Sequence, residues 1–205
     1  GGGGGGRDGR RGEEFEAALM VDDDLEIPCE DLRRAASAWR RNPDAMVGFY
    51  PRLLSPRNNA GSAPPEPGRG DGGAGGGALE YLGPKQVAKR REFNFVLTKA
   101  ALLHKRYLAA YSSPQTHPPE ILAHVDAHMN CEDIAMAMLV ANLTRGSASA
   151  SGGNPSEPAA PIYVAANITD RGGVGGISAS PRHMKTRGEC ATTFAGVYRR
   201  RGWGA

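Results

Sequence analysis

Apolar positions fall into short runs separated by glycine-, proline- and charge-rich segments, and their spacing predicts strands alternating with helices. Residues 15–21 (FEAALMV) read as a strand running into three acidic residues, although Ala and Leu would equally suit a helix. Pro28 suits a first helical turn, and Leu32, Ala36 and Trp39 then recur at i, i+4 and i+7 until Asn42-Pro43 ends the pattern. Residues 45–50 (AMVGFY) alternate Val47 and Phe49 as a strand, and FNFVL at 93–97 reads as another. Thr98 is placed to cap a helix with Leu103, Tyr107 and Tyr111 on one face, which Pro114, Pro118 and Pro119 interrupt. The segment EILAHVDAHM reads as a short helix, and Asn130 is placed to cap the next one, CEDIAMAMLVANL, through about Leu143. PIYVAA at 161–166 is a further strand, and residues 186–200 read as a closing helix with Cys190, Phe194 and Val197 on one side. Strands alternating with helices, and no internal repeat, predict an α/β domain.

Composition modifies this picture in three places. Much of the chain's 29 Gly and 15 Pro lies in residues 1–12, 55–78 and 146–160, which hold too few large apolar side chains to repay ordering entropy. The expected organisation is a Gly/Arg-rich start over 1–14, then a domain over 15–205 with low-complexity insertions at 55–78 and 146–160. With 205 residues and 40% hydrophobic content the chain can bury one core.

A formal charge of +3 with scattered arginines does not argue for nucleic acid or an anionic membrane, and the Gly/Arg-rich start lacks RGG repeats and interleaved aromatics. The run Arg199-Arg200-Arg201 is read as a solvated helix end. No stretch approaches the roughly 18 apolar residues of a membrane span. Because the chain begins at Gly1 without Met, the expectation is a fragment whose membrane association, if any, comes from an anchor upstream. Cys29, Cys131 and Cys190 have neither CxxC nor zinc spacing; two could pair and leave one over. Asn142-Leu-Thr144 and Asn167-Ile-Thr169 are glycosylation sequons should the chain enter the secretory pathway.

Two acidic groups carry the candidate chemistry. Asp22, Asp23 and Asp24 repel one another, so keeping all three ionised calls for a cation or hydrogen-bond donors. Hard divalent ions such as Mg and Mn favour such oxygens, often with diphosphate completing the shell; the alternative is an acidic loop capping the next helix. If the extended backbone continues, Asp22 and Asp24 face one side and Asp23 the other. In HMNCEDIAMAM, Asn130 as N-cap puts Asp133 at N3, where it either accepts from backbone N–H groups or, with Glu132, projects into a cleft as base or hydroxyl acceptor. His124 and His128 at i, i+4 lack the HExxH pattern, and GGVGG at 172–176 lacks phosphate-loop order.

VDDD, the helix ending in W-x-x-x-P-D, VGFYPR (47–52), FVLTKAALLHKRYL (95–108) and NCEDIAM (130–136) together resemble the exostosin-type glycosyltransferase domain of heparan sulfate polymerases and their plant and algal relatives. The resemblance runs from about Ala17 to Tyr198, and the order and spacing of the blocks make it specific. It implies a GT-A fold, a UDP-sugar donor, most familiarly of N-acetylglucosamine, and Mn-dependent transfer to a glycan or glycolipid with retention of configuration. The implied compartment is the Golgi or endoplasmic reticulum lumen. The implied metal ligands are Asp24 and Asp22 within the DxD-type triplet Asp22–Asp23–Asp24, with Asp133 the carboxylate near the reacting sugar and Glu132 its usual acidic neighbour. His183 and Arg187 are the implied phosphate contacts, Cys131 and Cys190 the implied disulfide, and Cys29 is left free. In the family, strands that cradle the nucleoside precede the DxD strand, whereas here GGGGGGRDGRRG does; the alternative function is therefore a truncated, non-catalytic binding or assembly protein. The sequence leaves the oligomeric state open.

Overall fold

The computed structural model describes residues 16–57, 77–145, 157–172 and 182–202. Its centre is a four-stranded sheet in the order β1 (Ala17–Val21), β7 (Ala100–His104), β3 (Val47–Gly48), β8 (Ile162–Tyr163). The β1–β7 and β7–β3 pairs are antiparallel and β3–β8 is parallel, so the sheet is mixed. The strand β7 is buried on both faces. Its Ala100 and Leu102 join Ala35, Ala38 and Trp39 of helix α1 (Cys29–Arg41). Ala101 and Leu103 join Tyr107 of α3 (Lys105–Tyr111) and Met136 and Val140 of α5 (Glu132–Thr144). The pleat thus sends successive side chains into two helical layers, giving a helix–sheet–helix sandwich. Fully burying each large side chain contributes about 1.5–3 kcal/mol.

A second sheet, β5 (Leu79–Leu82), β4 (Pro51–Pro56), β6 (Phe95–Val96), packs on α6 (His183–Arg200), and a short β2 (Leu25–Glu26) pairs with β9 (Thr169–Asp170). Gly188 lets α6 lie against β5, since a Cβ there would sit 3.0 Å from the Leu79 carbonyl oxygen. The short α2 (Pro84–Arg90) closes Leu53 and Leu82 through Val87. Helix α4 (Pro119–His128) places Ile121 in the core beneath α5 and α6. The expected α/β domain is found, with a mixed central sheet between helices. Ser55 and Pro56 complete β4, and Arg57 donates its N–H to the Ala78 carbonyl at 2.7 Å; most of 55–78 and of 146–160 lies outside the described residues, as does 1–14.

Three local expectations are corrected. Thr98 caps no helix: Leu103 belongs to strand β7, and α3 starts at Lys105 with the His104 ring nitrogen accepting from the Arg106 N–H. The run AALLH has helical propensity, but a strand covered on both faces has no alternation to betray it. Asn130 is not the N-cap of α5. That position is Cys131, at φ 76°, whose N–H donates to Asn130 Oδ1 at 2.7 Å, so Asp133 stands at N2 rather than N3. Finally, the extended backbone stops at Val21, and residues 22–25 form a turn in which the Leu25 N–H donates to the Asp22 carbonyl. The strict alternation of the three aspartates is therefore lost.

Candidate active site

The ends of these elements enclose a cleft of about 480 Å³. Asp22 enters from the end of β1, Glu132 and Asp133 from the start of α5, and His183 and Arg187 from the first turns of α6. Five of the seven sequence-derived acidic and phosphate-contact residues thus line one cavity, while Asp23 and Asp24 do not. Asp24 turns towards β9, where a Cβ on Gly172 would come within 2.4 Å of its Oδ2. Its Oδ1 is buried with no hydrogen-bond partner. Asp23 is exposed.

Sequence reasoning gave no role to Lys99, Asp170, Tyr50, Arg52 or Tyr81, which also line the cleft. Tyr50, Arg52 and Lys99 lie inside the VGFYPR and FVLTKAALLH blocks, whose presence was legible without their purpose. Lys99 is fixed by the sheet register, because the Asp22 N–H donates to its carbonyl oxygen at 2.9 Å. Its Nζ then bonds Asp170 at 2.9 Å and lies 4.0 Å from Asp22. Burial lowers the affinity of Lys99 for its proton, but the Asp170 hydrogen bond and the Asp170 and Asp24 charges outweigh it and hold the ammonium above its ordinary range. The same hydrogen bond holds Asp170 below the usual carboxylate range. Asp22 is raised, first by burial and then by Asp24, Asp23 and Asp170, with Lys99 opposing. The acidic corner is therefore only partly neutralised by Lys99.

On the other wall the Arg187 guanidinium pairs with Asp133, both side chains being less than a tenth exposed, and lies 4.7 Å over the Tyr81 ring. Tyr81 Oη in turn accepts from Arg52 Nε at 3.0 Å. For Arg187 the cost of burial is outweighed by Asp133, which keeps it well charged. Glu132 faces the cleft, and its crowded surroundings and the Asp133 charge raise its carboxyl. His183 is lowered by burial and by Arg187. The pair is held in place covalently: Cys131, directly before Glu132, forms a disulfide with Cys190, three residues past Arg187, while Cys29 is free and exposed. The left-handed Cys131 backbone costs about 1–3 kcal/mol and re-aims the chain just before the two acids.

Among the described residues no three His, Cys, Asp or Glu side chains converge into a ready metal cage, and no helix is long and apolar enough to cross a membrane. A hard cation does fit the chemistry of the corner in one respect: Asp24 offers a buried oxygen without a partner, beside the crowded carboxyl of Asp22.

Three relatives resemble this chain over most of its length. It is 31% identical over 183 residues to glycosylinositol phosphorylceramide mannosyl transferase 1 of Arabidopsis thaliana, covering 89% of this chain and 46% of that protein. It is 32% identical over 195 residues to human exostosin-2, covering 90% and 22% respectively. Against glucosamine inositolphosphorylceramide transferase 1 of Arabidopsis thaliana it is 28% identical over 184 residues, covering 89% and 20%. The chain thus spans less than half the length of these relatives. The model of the glycosyl transferase family 64 domain matches residues 14–202, and the chain belongs to that family.

Proposed function

We propose that the chain is the catalytic part of a retaining glycosyltransferase of GT-A type, moving a sugar from a UDP-sugar to a glycan or glycolipid acceptor. The observation that carries this reading is the convergence of Asp22 with Glu132, Asp133, His183 and Arg187 on one cleft, from segments more than a hundred residues apart. Such a cleft suits a donor with a charged diphosphate and a neutral sugar: Lys99 and Arg52 bring positive charge to the lining, and Asp133 is a carboxylate held in place by Arg187.

Asp22 and Asp24 are the residues that would hold Mn²⁺, with diphosphate oxygens completing its shell. When bound, that ion offsets charge on the departing diphosphate. His183, Arg52 and Lys99 line the same cavity and orient the anionic part of the donor. Asp133 is held by Arg187, and an ion-paired carboxylate is a poor nucleophile; it acts as fixed negative charge for the anomeric carbon as that centre gains positive character. Glu132, with its raised carboxyl open to the cleft, orients the acceptor hydroxyl. A luminal compartment, Golgi or endoplasmic reticulum, accords with the Cys131–Cys190 bond, since disulfides persist under oxidising conditions.

The test combines calorimetry with UDP and Mn²⁺ and a transfer assay using radiolabelled UDP-sugars. Asp24→Ala is expected to lose Mn-dependent UDP binding, whereas Asp133→Ala keeps binding and loses transfer. Normal UDP and Mn²⁺ binding by the Asp24 variant would overturn the metal assignment. UDP binding without transfer to any glycan or glycolipid acceptor would favour a binding or assembly role instead.

A further inference from the structure

The sequon Asn167-Ile-Thr169 runs from the end of the segment joining β8 to β9 into the first residue of β9, outside the acids and cations of the cleft. Asn167 is exposed and Thr169 is exposed beside it, with Ile168 between them turned partly inward onto the cluster around Trp39. The backbone there is tied down by its own partners. The Asn167 N–H donates to Asp31 Oδ2 at 3.0 Å, and Arg34 donates to the Ala165 carbonyl at 2.7 Å. Thr169 pairs with Glu26 across the β2–β9 ladder. The Asn167 side-chain amide itself makes no hydrogen bond among the described residues. An exposed asparagine whose side-chain amide is not engaged among the described residues, with a threonine two residues on, is what a glycan can be attached to without disturbing the packing beneath.

We propose that Asn167 is an N-glycosylation site. The proposal rests on the luminal reading given above. The donor is an oligosaccharide linked through a diphosphate to a lipid carrier, brought by an oligosaccharyltransferase. The bond formed joins Asn167 Nδ2 to the anomeric carbon of the first sugar; the bond broken joins that carbon to the lipid diphosphate, which leaves, and the amide gives up one proton. The attached glycan stands on the outer side of the strap that delivers Asp170 to Lys99, and covers a stretch of irregular backbone against proteases.

The experiment expresses the 205-residue chain in a eukaryotic host behind a cleavable secretion leader. Peptides are mapped after enzymatic deglycosylation in heavy-oxygen water, which converts a formerly glycosylated Asn into labelled Asp. The expected result is label at Asn167, lost in Asn167→Gln and in Thr169→Ala and restored in Thr169→Ser. Secreted, disulfide-bonded chain without label at Asn167 overturns the proposal. The compartment is read separately on the protein from its source cells: a reduced Cys131 and Cys190 there would sink the luminal reading, while the result in the secreting host would still decide the site.

Discussion

Replacing Arg187 by methionine leaves the Asp133 carboxylate buried with its guanidinium partner gone, because the two side chains are only 7% and 5% exposed. Breaking a buried pair by removing one member costs about 3–5 kcal/mol, since the remaining charge keeps its desolvation penalty without its attraction. The lost stacking of the guanidinium on Tyr81, 4.7 Å away, adds about 0.5–2 kcal/mol. Together these come to about 3.5–7 kcal/mol, and for a chain of this length each kcal/mol moves the melting temperature by roughly 2–4 °C, so a fall of roughly 7–28 °C is expected. The double variant Arg187→Met with Asp133→Asn removes both charges and should recover much of that loss, as uncharged replacements of buried ion pairs commonly do. Calorimetric melting or urea denaturation of wild type, both single variants and the double variant completes the cycle. A double variant no more stable than Arg187→Met would refute the reasoning, because the cost would then not come from an unpaired carboxylate.

Four further outcomes follow from described contacts. Replacing Cys131 and Cys190 by serine opens a loop with a sequence separation of 59, and the variant should lose about 4 kcal/mol on the chain-entropy account; denaturation with and without reductant measures it. Gly188→Ala pushes a Cβ to 3.0 Å from the Leu79 carbonyl and should cost about 1–3 kcal/mol in a melting experiment; unchanged stability would mean α6 is free to shift. His117 is fully buried and burial lowers its proton affinity below the ordinary 6.5, so the unfolded chain binds the extra proton first. Stability is therefore lost as pH falls below about 6.5 towards the lowered folded value, and His117→Gln should show a shallower fall over that range in melting curves recorded against pH. Lys99→Met frees Asp170 and Asp22 from their shared cation; the Lys99–Asp170 pair is partly exposed, so stability should change by only about 1 kcal/mol, while UDP affinity measured by calorimetry falls at least several-fold.

Much of the fold was legible because amphipathic elements announce themselves. Ala35, Ala38 and Trp39 mark the buried side of α1, close to the Leu32, Ala36 and Trp39 stripe expected, and Cys190, Phe194 and Val197 form the buried side of α6 as read. The strand β7 was illegible for the opposite reason: Ala100 to Leu103 are all buried, and a segment covered on both faces carries no period. At the site, the acids were visible by type and order, but their partners were not. Asp133 meets Arg187 across 54 residues and Lys99 meets Asp170 across 71, and no local pattern encodes such pairings. The turn over residues 22–25, which sends Asp24 towards β9 while Asp22 stays in the cleft, depends likewise on a strand far along the chain.

The hydrogen bond from Arg57 to the Ala78 carbonyl has a further consequence for how this chain tolerates change. Strands β4 and β5 are already antiparallel neighbours when they reach those residues, so the ends of whatever lies between are brought together by the sheet. Doubling the length of such a connection adds only about 0.6 kcal/mol of closure cost, less than the loss of a single well-packed side chain. The β4–β5 end therefore works as an open port, where sequence can be lengthened, shortened or exchanged for a purification or reporter segment while the cleft behind it keeps its walls.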